Sequence, residues 1–153
     1  MNISIIGCGR WGSLIAWYLS ARRGLSVTLY GRPSSPHMAR FLRERRNDLL
    51  TLPDEVRLVT TLDEAILPET EVVVISIGAQ GLRALMQELQ AYDLAGKTLV
   101  LCMKGLEEGT GKRLSEIAEV MASRRPLPDA VISTVSPFTD RRAMTITPVS
   151  VST

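Results

Sequence analysis

The sequence has few residues of the kinds that enzymes use for nucleophilic or metal chemistry. Its 153 residues include one histidine and two cysteines. No Ser-His-Asp or Cys-His arrangement, metal-ligand spacing or clear carboxylate pair is indicated. The cysteines, Cys8 and Cys102, stand in apolar segments, which favours free thiols in a reduced, cytoplasmic protein. We expect no metal site.

Strong charge and long apolar runs are also missing. A net charge of +2 is too small to indicate a nucleic-acid partner. The apolar run Val72–Ile77 is far shorter than the about twenty residues that cross a membrane, and the N-terminus lacks the features of a signal peptide. We therefore expect no nucleic acid and no membrane as partner. The length suits one domain with its own core.

The first twelve residues carry the most informative motif. The apolar run Asn2–Ile6 is followed by Gly7, Gly9 and Gly12, in the spacing G-x-G-x-x-G. A helical periodicity follows at Leu14, Ile15, Tyr18 and Leu19. The first glycine permits a tight turn, the second lets a pyrophosphate approach the backbone, and the third lets the helix pack closely on the strand. The pattern predicts a dinucleotide site at a helix N-terminus; the alternative is a structural turn that binds nothing.

An arginine stands where such a domain selects its cofactor. The second predicted strand, Ser26–Tyr30, is followed by Gly31 and Arg32. An NAD-preferring domain carries an acid here, about twenty residues past the glycines, for the ribose 2′-hydroxyl. Arg32, with Ser34 and Ser35 beside it, could instead hold a 2′-phosphate, which favours NADP over NAD. An ordinary loop arginine is the alternative.

Apolar strands alternate with helical segments along the rest of the chain. Further strands or extended segments are predicted at Val56–Thr60, Val72–Ile77, Thr98–Cys102, Val131–Val135 and Met144–Val151. Further helices are predicted over His37–Arg46, after the capping box Thr61-x-x-Glu64, at Leu82–Leu89 and at Leu114–Met121. In the first of these, Met38, Phe41 and Leu42 are expected inward. The arginines of this segment are expected on a solvated face, or alternatively to steer an anionic cofactor: Arg40, Arg43, Arg45 and Arg46. The alternation predicts an α/β fold, a doubly wound parallel sheet of the Rossmann type, as one dinucleotide-binding domain over residues 1–153.

Ligands of such a sheet bind beyond the carboxyl ends of the strands. We therefore expect the glycine turn, Arg32, Gly78–Gln80, Lys104 and the segment after Val135 to line one edge. Lys104 follows a central strand and precedes a glycine, so its ammonium could pair with a phosphate or with a carbonyl oxygen that gains charge. A solvent lysine is the alternative.

Several short segments taken together are more specific than the glycines alone. They are Ile5–Gly12, Tyr30–Arg32, Thr61–Ala65, Lys104–Glu107, Gly109–Gly111 and Leu114–Glu116. In these segments the chain resembles the N-terminal domain of NAD(P)-dependent glycerol-3-phosphate dehydrogenase. The resemblance implies reversible hydride transfer between dihydroxyacetone phosphate and sn-glycerol 3-phosphate, with NADP or NAD as cofactor, feeding phospholipid synthesis.

The resemblance also implies roles for single residues. Arg10 and Trp11 would contact the cofactor diphosphate region, Arg32 the adenosine ribose or its phosphate, and Lys104 both cofactor and substrate. Ser136 would supply a hydroxyl on the substrate side. No catalytic residue is assigned within this chain, because the family's general-base lysine and most substrate-phosphate contacts belong to a helical second domain that residues 1–153 do not include.

Three departures from the family pattern bear on function. Gly78-Ala79-Gln80 stands where the family usually has Pro-Ser followed by Gln or His, and a Gly-Pro-Ser/Thr-Phe-Ala segment is reduced to Thr134–Thr139. The chain also stops at Thr153, so alone it is expected to bind a dinucleotide without turnover. Homodimerisation of a full-length protein is left open. A non-catalytic regulatory module, or a related dehydrogenase such as ketopantoate reductase or a 6-phosphogluconate-type enzyme, is the alternative.

Overall fold

Strands and helices alternate along residues 1–124 and 131–134, which a computed structural model describes. The chain divides into two units, Met1–Ser76 and Ile77–Thr153. Among the described residues, no helix is long and apolar enough to cross a membrane. The predicted extended segment Met144–Val151 lies outside the described residues.

The first unit contains four parallel strands in the order β3-β2-β1-β4. The strands are β1 (Asn2–Ile6), β2 (Ser26–Tyr30), β3 (Arg57–Val59) and β4 (Val72–Ile75). The helices are α1 (Arg10–Trp17), which continues as a π-helical turn (Tyr18–Arg22), α2 (Pro36–Glu44) and α3 (Leu62–Ala65). The central strand β1 is buried along most of its length because it pairs on both sides, Ile5 opposite Leu29 on β2 and Val74 on β4.

The second unit repeats the same alternation. A 3₁₀ turn (Ala79–Gly81) leads into α4 (Leu82–Leu89), followed by β5 (Thr98–Leu101), α5 (Leu114–Arg124) and β6 (Val131–Thr134). Strands β5 and β6 pair in parallel, from Thr98 opposite Val131 to Leu101 opposite Thr134. The helix predicted at Leu82–Leu89 has the same bounds here and buries four apolar side chains: Leu82, Leu85, Met86 and Leu89.

Helix α1 buries a different face from the one that its large apolar residues suggest. Gly12, Ser13 and Ala16 are buried, whereas Leu14 and Tyr18 of the predicted apolar face are 38% and 50% exposed. The helix is therefore confirmed, but Leu14 and Tyr18 do not face the core, and Ile15 and Leu19 are only half-buried. The reason is distance: a helix that packs closely on the strand beneath it has room only for small side chains.

Helix α2 departs from its predicted faces at two residues. Met38 and Phe41 are buried as expected, but Leu42 is 55% exposed. Arg45, expected on a solvated face, instead donates hydrogen bonds from Nη2 to the carbonyls of Pro53 (2.6 Å) and Val56 (2.7 Å). It can do so because it ends the helix in the left-handed region at φ 52°, which turns its side chain toward the following loop.

The observed strand ends and helix caps lie within two residues of the positions predicted from the sequence. Thr61 caps α3, where its Oγ1 accepts from the Glu64 amide at 3.4 Å and donates to the Glu64 carboxylate at 2.8 Å. Gly24 follows the first helix with φ +62°, a conformation that glycine adopts readily after a helix C-terminus.

Replacing Gly12 by alanine should destabilise the fold much more than the same change at Gly9. A Cβ on Gly12 would overlap the carbonyl oxygen of Gly7, whereas Gly9 has φ −68° and no heavy atom of the described residues within 4 Å of its Cβ position. We expect Gly12→Ala to lower the free energy of unfolding by roughly 2–3 kcal/mol and Gly9→Ala by less than about 1 kcal/mol. Urea unfolding measures both, and equal losses would contradict the packing assigned to Gly12.

Candidate functional site

The carboxyl ends of β1 and β2 bring the predicted cofactor segments together. The amide of Gly7 donates to the carbonyl of Tyr30 at 2.9 Å, and the amide of Gly31 donates to Val59 at 3.2 Å. The turn after β1 and the turn before Arg32 therefore begin at the same edge of the sheet. The structure thus confirms the strand–turn–helix setting of the glycine motif.

Each glycine of the motif meets a different physical requirement. Gly7 has φ +114°, a conformation that residues with a side chain rarely adopt. Gly12 lies against the backbone of Gly7 and against the Ile5 side chain. Gly9 is unlike both, since among the described residues nothing lies within 4 Å of its added Cβ. The space beside Gly9 is what an approaching pyrophosphate needs.

The N-terminus of α1 faces this open space. Gly9 is its N-cap, and among the described residues no side chain accepts a hydrogen bond there. The first amides of a helix have no partner within the helix, so they can donate to an anion at this end. Arg10 and Trp11, the next two residues, are exposed, Trp11 at 44%. The turn therefore combines backbone donors, a cation and an exposed indole.

A buried thiol joins the glycine turn to the end of β2. Cys8 is 5% exposed, and its Sγ lies 3.6 Å from the Oγ of Ser35. A Cβ on Gly31 would overlap this Sγ and crowd Met38, so glycine is required there. Burial raises the pKa of the Cys8 thiol, against the opposing effect of the Ser35 hydrogen bond. Cys8 is therefore a packing residue rather than a reactive one.

In the segment after β2, one serine caps the next helix, and the other serine and the arginine lie at the surface. Ser35 caps α2 by accepting from the Met38 amide at 3.4 Å, so its hydroxyl already has two partners. Arg32 and Ser34 are exposed, and the carbonyl of Arg32 accepts from the Ser35 amide at 2.9 Å in a tight turn. Of the two serines predicted to assist Arg32, Ser34 is the one that the structure leaves at the surface.

Asn47 supports the glycine turn and was not found from the sequence. Its Nδ2 donates to the Oγ of Ser13 at 3.0 Å, and its Oδ1 accepts from the amides of Leu49 (2.8 Å) and Leu50 (3.0 Å). The fully buried Ser13 in turn donates to the carbonyl of Arg10 at 3.1 Å. The only sequence signal is that asparagine favours such turns, which does not reveal the contact with α1.

The second unit holds Lys104 at the start of a short hairpin-like loop. Lys104 is exposed and follows β5 by a few residues, and Gly105 has φ +122°, so the chain turns directly after the lysine. Beyond it the backbone closes on itself, since the amide of Glu107 donates to the Lys112 carbonyl and the amide of Gly111 to the Glu107 carbonyl, both at 2.9 Å. We call residues 104–112 the Lys104 loop.

A paired carboxylate anchors the Lys104 loop. Arg83 donates to both oxygens of Glu107, from Nε at 2.6 Å and from Nη2 at 2.7 Å, and Thr110 donates to one of them. The hydrogen bonds from Arg83, and then from Thr110, lower the pKa of the Glu107 carboxyl to about 2. Only 12% of the Glu107 side chain is exposed. Glu107 is therefore ionised near neutral pH and acts as a structural anion.

Other site predictions remain untested. Ser136 and the segment to Thr139 lie outside the described residues. Among the described residues, no group of three or more histidine, cysteine, aspartate or glutamate side chains could hold a metal ion. The expectation that the cofactor and substrate segments share one edge stays a prediction.

Comparison with known proteins finds relatives that match most of this chain. A family model described as NAD-dependent glycerol-3-phosphate dehydrogenase N-terminus matches residues 2–136. The glycerol-3-phosphate dehydrogenase (NAD(P)+) of Chlorobium limicola is 36% identical over 120 residues, covering 76% of this chain and 35% of the relative. The corresponding protein of Nitrosomonas eutropha is 37% identical over 123 residues, covering 78% and 36%. The chain thus spans little more than a third of these relatives.

A solved structure confirms the predicted fold. The glycerol-3-phosphate dehydrogenase of Coxiella burnetii matches with a TM-score of 0.74 at 21% identity, over 88% of this chain and 40% of that chain. At this identity the likeness shows the fold alone. The doubly wound, dinucleotide-binding architecture predicted from the alternation of strands and helices is therefore correct.

Replacing Glu107 by glutamine should reduce the dependence of stability on acid pH. The folded-state pKa of about 2 lies below the ordinary value of 4.5. The ion pair's contribution is therefore complete above about pH 4.5 and is lost as the pH falls toward 2. We expect Glu107→Gln to be less stable toward unfolding than the unmodified chain at pH 6. The difference in stability between the two proteins should narrow below pH 4.5. Urea midpoints between pH 6 and 2.5 measure this.

The neighbouring Glu108→Gln variant is the matched control, because Glu108 is exposed and, among the residues that the structure describes, only its backbone amide is engaged. A stability gap for Glu107→Gln that stays constant down to pH 2.5 would contradict the charged pairing with Arg83.

Proposed function

Because the chain belongs to the NAD-dependent glycerol-3-phosphate dehydrogenase family, as its N-terminal, NAD-binding domain, we propose that it binds NADP(H) or NAD(H) for the interconversion of dihydroxyacetone phosphate and sn-glycerol 3-phosphate. The observation that carries the cofactor part is the N-terminus of α1 at Gly9, where no described residue fills the space beside the glycine or caps the helix with its side chain. The activity of the whole enzyme is part of the proposal, since the chain covers 35% of its Chlorobium relative.

The residues of the first unit fit a dinucleotide. The turn Gly7–Gly12 and the first amides of α1 would hold the diphosphate by backbone hydrogen bonds, with Arg10 adding charge. Trp11 would cover the diphosphate region with its indole. Arg32, exposed at the end of β2, would reach the adenosine ribose or its 2′-phosphate. When bound, the nicotinamide supplies the hydride chemistry, and this chain's residues bind and orient it.

Lys104 would serve cofactor and substrate together. Its ammonium is a compact cation that can pair with a phosphate or donate a hydrogen bond to a carbonyl oxygen. By the same resemblance Ser136 would face the substrate. We assign no general base, because the family's base lies in a helical domain outside residues 1–153. These residues alone are therefore expected to bind cofactor without turnover.

Reversing the charge at Arg32 should reverse the cofactor preference. We expect the unmodified chain to bind NADPH at least as tightly as NADH, because a cation stands where an acid would select NAD. Arg32→Asp should weaken NADPH binding by roughly ten- to a hundredfold and leave NADH binding nearly unchanged or improved. Calorimetric titration of both cofactors gives the ratio of dissociation constants.

Arg23→Asp is the matched control for this charge change, since Arg23 is exposed near the opposite end of the first helix. An unchanged NADPH-to-NADH ratio in Arg32→Asp would show that Arg32 does not read the 2′-position.

Filling the open face at Gly9 should abolish cofactor binding without unfolding the chain. Valine is sterically acceptable at φ −68° and ψ −173°, but its side chain would occupy the space reserved for the pyrophosphate. We expect Gly9→Val to lose measurable NADPH binding in calorimetry while keeping a cooperative unfolding transition. Retained affinity would show that the glycine turn is structural only.

A further inference from the structure

The side chain of Gln80 pairs with the backbone of the Lys104 loop. Its Nε2 donates to the carbonyl of Leu106 at 3.1 Å, and its Oε1 accepts from the amide of Glu108 at 2.9 Å. One carboxamide therefore satisfies a carbonyl and an amide two residues apart, as a neighbouring strand would do. Gln80 thus fixes the main chain on both sides of Glu107.

Arg83 adds a second point of attachment from the start of α4. It lies in the first turn of α4, three residues after Gln80 in the preceding 3₁₀ turn, and both side chains contact the Lys104 loop. Its two hydrogen bonds to Glu107 have the planar, bidentate geometry that holds both side chains in one orientation. Arg83 thus binds the carboxylate of Glu107. This residue lies between Leu106 and Glu108, whose backbone groups bind Gln80.

The start of the loop is also close to this helix. A Cβ on Gly105 would lie 3.7 Å from the Cβ of Ala79, the residue before Gln80. The contacts therefore run in the same order along both segments. Ala79 lies near Gly105, and the side chains of Gln80 and Arg83 contact the next three residues of the loop, 106–108. Lys104 immediately precedes the first of these contacts.

We propose that Gln80 and Arg83 are positioning residues for Lys104. They hold the main chain directly after the lysine in one conformation before ligand arrives. A loop ordered in advance loses less conformational freedom on binding, so its cation binds a phosphate more tightly. The proposal rests on the role given to Lys104 in the proposed function, and it gives these two residues a task that needs no contact with cofactor or substrate.

A double-mutant cycle on the 153-residue chain tests this role, with NADPH as the probe. The four proteins are the unmodified chain, Arg83→Gln, Lys104→Ala and the variant with both changes. We expect Arg83→Gln to weaken NADPH binding about three- to tenfold when Lys104 is present and less than about 1.5-fold when it is alanine. A merely structural role would produce the same loss in both backgrounds.

Amide hydrogen exchange without ligand provides a second measurement. The amides of Glu107 and Gly111 donate to carbonyls of the Lys104 loop, and the amide of Glu108 donates to Oε1 of Gln80. They should exchange faster in Arg83→Gln, and faster in Gln80→Glu, which keeps the acceptor for Glu108 but loses the donor to Leu106. Arg113→Gln is the matched control, because Arg113 is 73% exposed and pairs with Glu116 next to it. In Arg113→Gln, neither the exchange rates of these three amides nor the affinity for NADPH should change.

The outcomes separate the two proposals. Coupled losses together with faster exchange support the positioning role. Additive losses, unchanged exchange, or a Lys104→Ala variant that binds NADPH normally would overturn that role while leaving the cofactor site at Gly9 intact. Failure of the unmodified, folded chain to bind NADPH would overturn the proposed function, and the task assigned to Gln80 and Arg83 with it.

Discussion

The contact between α1 and the backbone of Gly7 is the constraint on which the first unit depends. Because Gly12 lies against the Gly7 carbonyl, the helix starts close above the end of β1, and its first amides reach the sheet edge. The same closeness requires small residues on the buried face and moves Leu14 and Tyr18 outward. Packing and the proposed anion binding thus have a single geometric cause.

The second unit differs from the first, because it fixes the backbone beside an exposed cation without burying the cation. Lys104 stays at the surface, and the fixed groups are its neighbours: a glycine turn, a bidentate ion pair at Glu107 and a carboxamide that pairs with backbone. An ionised carboxylate that is 12% exposed holds this arrangement through charge-assisted hydrogen bonds rather than through apolar packing.

The sequence predicted what is local and periodic. Strands β1 and β2 and the Thr61 cap follow from neighbouring residues, and the structure confirms them. What it could not predict are pairings between segments distant in the chain, such as Asn47 with Ser13. Arg45 shows the same limit, because its charge indicated solvent and a left-handed helix end turned it toward loop carbonyls instead.

The first helix also carries both tryptophans of the chain, in unlike surroundings. Trp11 is 44% exposed beside the open face at Gly9, whereas Trp17 is partly covered and has the Arg22 guanidinium 5.6 Å from its ring centroid. The π-helical turn that follows Trp17 brings Arg22 to this distance. The molecule therefore contains its own optical probe: one indole emits from the turn where an anion would bind, and the other stands about 1.7 helical turns away with a cation beside its ring.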